Sequence, residues 1–168
     1  PKIDDESMRQ KLASDFSVSG EDLETLVHNA NGNYFKAFEL MSFENSNSDF
    51  FNYFTQIMRL AYAKNLPELA TISETMAGIG REKQKGFFEY ALKMLRENFI
   101  LNQKKQEIVY LYKKEKDFSE KFHSFINERN IAQLTKEFNE AHYHIERNGN
   151  AKIIFFDLFI KIMMLLRS

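Results

Sequence analysis

Cysteine is missing from all 168 residues, and so is tryptophan. The first absence excludes disulfides, thiolate metal sites and a cysteine nucleophile together, and it fits a reducing compartment, so the expected location is cytoplasmic. Two prolines and six glycines are too few for the frequent turns of a many-stranded fold. A secretory signal is also lacking, because residues 1–10 are polar and acidic. The most apolar stretch, residues 153–166, is too short to span a bilayer and carries Asp157 and Lys161, which implies a buried helix and no membrane partner. A first residue of proline, without methionine, is what a processed or truncated piece would show. A net charge of −1 argues against a dedicated nucleic-acid binder, which would be strongly basic.

What is plentiful is phenylalanine, with 17 copies, and charge that is unevenly spread. Residues 1–79 hold six Lys/Arg against twelve Asp/Glu, whereas residues 80–116 hold ten against five. An acidic head and a basic middle can steer oriented association, although solvated helix faces produce the same pattern.

Helical periodicity runs through the whole chain, and no segment alternates with period two, so the expected fold is all-α. A first helix is predicted over 5–14 and a second from Ser19, with Asp22 in the place of a capping-box acid, ending at Asn31-Gly32. A third should cover 33–41 and bury some of Phe35, Ala37, Phe38 and Leu40. Glu44-Asn-Ser-Asn-Ser-Asp49 reads as a linker, since six polar residues end one unit and cap the next. The predicted organisation is therefore a small three-helix unit over 1–43, a linker over 44–48 and a larger helical domain over 49–168. Within the latter, helices are expected over 50–64, from Pro67 to 77, over 81–101, 117–126 and 128–147, and from an Asn150 cap to Leu166. Residues 103–116 are ambiguous, and Ile108–Tyr112 fits either a helix continuation or an irregular crossing.

Motifs that carry chemistry are scarce in this chain. A phosphate-cradling loop needs a glycine-framed lysine followed by serine or threonine, and nothing after Gly78, Gly80 or Gly86 supplies it. Glu120-Lys-Phe-His123 fits the Glu-x-x-His spacing of carboxylate-bridged metal bundles, yet only once, while His142 and His144 fall on different helix faces. No serine sits in the glycine-flanked turn of a nucleophile elbow. The expectation is a non-enzyme with no cofactor and no metal.

Two segments carry a resemblance. Gly32-Asn-Tyr-Phe35-Lys-Ala37-Phe-Glu-Leu40 resembles the third lid helix of clamp-loader ATPases, whose pattern is G-x-x-R-x-A-x-x-L. Phe35 occupies the position of the arginine that senses nucleotide, a departure expected of a non-hydrolysing subunit. Tyr143-His-Ile-Glu-Arg147-Asn148-Gly-Asn150 with the apolar helix after it looks like the closing helix pair of clamp-loader C-terminal domains. Residues 67–101, including Ile79-Gly-Arg-Glu-Lys-Gln-Lys85, are similar to the delta prime subunits of the DNA polymerase III clamp loader of Bacteroidetes-type bacteria. The resemblance covers nearly the whole chain. It implies lid helices followed by a collar domain, which packs with the delta and gamma/tau subunits and meets primer-template DNA only through the complex. On that reading the partner-binding candidates are Arg81, Lys85, Arg147, Asn150, Phe156, Phe159 and Met163. The alternative is a helical adaptor or regulatory domain unrelated to replication.

Overall fold

The computed structural model describes residues 3–16, 20–105 and 111–167. Among these the chain is all-helical, with eight α-helices, one short 3-10 turn and no strand. The first four helices are α1 (Asp5–Phe16), α2 (Glu21–Ala30), α3 (Tyr34–Tyr62) and α4 (Leu66–Gly78). They are followed by α5 (Arg81–Asn102), α6 (Lys113–Phe122), the 3-10 turn (His123–Phe125), α7 (Ile131–Glu146) and α8 (Ala151–Leu165). None of the described helices is long and apolar enough to cross a membrane.

Asparagine punctuates these helices. α2 stops at Asn31, which takes the left-handed conformation (φ 49°, ψ 49°) that the Asn31-Gly32 pair predicts. The side chains of Asn33, Asn65 and Asn150 accept the backbone N–H of Lys36, Glu68 and Ile153, each at 3.2 Å, and so start α3, α4 and α8. Pro67 sits in the first turn of α4, where its missing N–H costs nothing. The start of α2 departs from expectation. Its N-cap is Gly20, with no side-chain cap, and Ser19 lies outside the described residues. Asp22, expected in a capping box, instead accepts the backbone N–H of Lys113 at 2.9 Å.

The larger correction concerns 44–48. No linker interrupts the backbone there, because α3 runs for 29 residues through the whole polar segment. Neither glycine nor proline occurs between Tyr34 and Tyr62, so nothing in that stretch breaks a helix. The third helix expected over 33–41 and the one expected over 50–64 are thus one element. Of the residues expected to be buried early in it, Ala37 is buried and Phe35 is 81% exposed, while the side chains of Phe38 and Leu40 lie outside the described residues. Further on, 106–110 also lie outside them, and α6 begins at Lys113, ahead of the predicted Asp117.

Buried apolar side chains fall into two clusters that α3 joins. Met8, Leu12, Leu26, Val27, Ala30 and Ala37 form the smaller one, between α1, α2 and the start of α3. The larger is organised around α8, which packs against α4, α7 and α3, while α5 packs against α7. Rings do much of its filling. Phe88 stacks on Phe155 at 5.3 Å, and Phe54 meets Tyr90, Phe118 and Phe122 edge-on at 6.1–6.4 Å. α5 comes so close to α3 that a Cβ on Gly86 would stand 3.0 Å from the Phe50 ring, which would have to give by a few tenths of an ångström.

Candidate interaction surface

Four of the seven predicted partner-binding residues gather at one end of the larger bundle, where α5 begins and α7 turns into α8. The Arg81 guanidinium donates to the carbonyl of Ile145, fixing the first turn of α5 to the last turn of α7. Lys85, one turn on, pairs with Glu82 at 2.9 Å, which holds its ammonium above the ordinary lysine range, with Glu146 adding to the effect. Arg147 lies 4.3 Å from the centre of the Tyr143 ring, itself 49% exposed. Asn148 takes the left-handed conformation (φ 62°), and Gly149 donates to His144 O at 2.9 Å. A Cβ on Gly149 would meet Ile154 Cδ1 at 2.7 Å and that same carbonyl oxygen at 3.0 Å, so a larger residue would have to shift Ile154 and crowd the His144 carbonyl. Asn150 then spends its side chain on capping α8. This corner is basic and aromatic, and its backbone is well determined by its own hydrogen bonds.

The remaining three lie along α8, and one of them requires a correction. Phe159 is fully buried, packed with Phe155 at 5.9 Å, so it fills the core and presents no surface. Phe156 and Met163 are half-buried. Apolar residues all round α8 are explained mostly by its central place, since Phe155, Leu158, Phe159, Ile162 and Leu166 are all buried inside the bundle. A strip stays open nonetheless. Ile153 is 66% exposed and Met164 68%, with half-buried Phe156 and Ile160 between them at i+3 and i+7. The ion pairs Lys152–Glu74 (2.6 Å) and Lys161–Asp157 (2.8 Å) flank it.

Phe35 stands apart from these residues, in the smaller cluster's part of the chain. It projects at the start of α3 beside a cleft of about 710 Å³ lined by Ile3, Asn31, Gly32 and Lys36 among others. Among the described residues, no three His, Cys, Asp or Glu side chains come together in a way that would hold a metal ion. His123, which the Glu-x-x-His spacing singled out, packs into the 3-10 turn.

Sequence reasoning passed over a second concave surface. Between α3 and α6 runs a groove of about 440 Å³ with Phe51, Met58, Tyr62, Phe118, Phe122 and Phe125 on its walls and Arg59, Lys114 and Lys121 at its rim. The signal was present in part, as Lys114 and Lys121 fall seven residues apart on one helix face. What the sequence did not reveal is that α6 lies beside α3. No protein-family model matches this chain, and comparison with curated proteins and with solved structures finds no match either.

Proposed function

We propose that this chain is an assembly module of a bacterial DNA polymerase III clamp loader, a delta prime-type lid and collar that works through its surfaces and performs no chemistry itself. The observation that carries the reading is the placement of the Gly32–Leu40 motif. Its glycine has a φ of 76°, its alanine, Ala37, is fully buried in the three-helix cluster, and its would-be sensor position, Phe35, faces outward as a large apolar side chain. A phenylalanine there offers no charge to a nucleotide phosphate, and its 81% exposed ring beside the cleft at the start of α3 is open to a neighbouring protein. The half-open strip of α8 and the basic corner beside it supply two further surfaces of the kind subunit packing uses, the corner setting orientation and rate more than affinity.

The test is co-purification with the delta and gamma/tau subunits from the same source at moderate salt. A stable complex is the expected result, and Ile153→Asp together with Met164→Asp should weaken it without unfolding the chain, because both side chains are mostly exposed. Failure of the folded chain to bind either subunit would remove the clamp-loader reading and leave the adaptor reading in its place.

A further inference from the structure

We propose that the groove between α3 and α6 docks an acidic amphipathic helix from a partner protein. Its floor is aromatic and aliphatic: Phe51, Met58 and Phe122 are buried, Phe118 and Phe125 half-buried, and Tyr62 is 46% exposed at its edge. Its volume of about 440 Å³ suits the insertion of a few side chains. The rim is cationic. Arg59, Lys114 and Lys121 are all exposed, and among the described residues none of them pairs with a carboxylate, with Asp117 the one acid on the lining. Arg167 extends the same edge, lying 4.8 Å from the centre of the Tyr62 ring and donating to the Tyr62 carbonyl.

The spacing selects the occupant. Lys114 and Lys121 are two turns apart on α6, about 10 Å along its axis. A compact anion cannot satisfy both. A helix laid along α6 can, with glutamates at i and i+7 meeting the lysines while apolar residues at i+3 and i+4 enter the groove. Nucleic acid fits less well. The ring faces that would stack bases are already covered, Phe51 by Lys114 at 5.0 Å and Phe118 by Arg59 at 5.8 Å. On its other flank α6 also borders a cleft where the carboxylates Glu21, Asp22, Asp117 and Glu120 outnumber Lys113 and Lys116, which disfavours a continuing phosphate backbone.

This site is separate from the α8 strip and the α5–α7 corner, so its test is independent of the assembly reading. A fluorescein-labelled amphipathic peptide with glutamates at i and i+7 and leucine or phenylalanine at i+3 and i+4 is titrated with the full chain, and anisotropy is read. Saturable binding is expected, weakened by salt and reduced about tenfold or more by Lys114→Glu with Lys121→Glu, or about 1.4 kcal/mol per tenfold. The same peptide with lysines in place of glutamates should not bind. The two lysines are surface residues, and an unchanged circular dichroism melt shows that the variant is folded. Three outcomes overturn the proposal: no binding of the acidic peptide, equal binding by the double variant, or binding only of a labelled single-stranded oligonucleotide that the double variant abolishes.

Discussion

Asn130 is fully buried with its carboxamide spent on three backbone partners. Its Nδ2 donates to Phe125 O at 2.7 Å and to Leu165 O at 3.1 Å, and its Oδ1 accepts the Asn127 N–H at 3.0 Å. One side chain thereby joins the 3-10 turn, the start of α7 and the end of α8. Asn130→Ala removes all three bonds at a fully buried position, so urea unfolding should show a loss of about 2–3 kcal/mol, while the exposed neighbour change Arg129→Ala should lie within about 0.5 kcal/mol of zero. Nothing local in the sequence announced this role, because one partner is 35 residues away. A second buried pair gives a pH dependence. The Tyr90 hydroxyl donates to Glu115 Oε2 at 2.6 Å, and burial, reinforced by the Glu115 charge, raises the phenol well above its ordinary 10.0. A folded value raised above the unfolded one means that its contribution is complete below pH 10.0 and lost as the pH climbs beyond it. Urea midpoints between pH 9 and 11 should therefore fall more steeply for the wild type than for Tyr90→Phe.

Among the elements, α3 shows where composition misleads. Polar content at 44–49 suggests a linker, but polarity reports what a side chain can face, not which backbone conformation it adopts. The better signal was negative: from Asn33 to Asn65 no glycine or proline interrupts the chain. The helix ends were easier to place, since Asn31-Gly32, Pro67, Gly78-Ile-Gly80 and Asn150 each impose a local geometry that needs no tertiary partner. Asn47→Pro decides between the two readings. In a linker it would be neutral, whereas in α3 it removes a backbone hydrogen bond and clashes with the preceding turn, for a loss of about 3 kcal/mol and a drop in far-ultraviolet helicity. Asn47→Ala serves as the control and should be neutral or slightly stabilising.

For the whole molecule, the all-α class and the centrality of the last helix were legible because both follow from periodicity and from apolar residues on every face. The partition of α8 between core and surface was not, since Phe156, Phe159 and Met163 look alike in sequence and only the placement of α4, α7 and α3 around them sets their exposure. The two apolar clusters have no side chain in common, and α3 is not their sole connection. α2 also touches the start of α6 through Asp22 and the Lys113 N–H (2.9 Å), Glu21 and Lys116 (3.3 Å), and Thr25 and the Leu111 carbonyl (3.3 Å). A single rod transmits bending well but lets whatever it carries swivel about its long axis. A rod with a second fastening off that axis resists torque as well. The α2–α6 fastening makes α3 such a rod, so a push on the small cluster reaches the large one as leverage instead of being lost as free rotation. Because the fastening includes an exposed ion pair, salt weakens that part of it before it touches either apolar cluster.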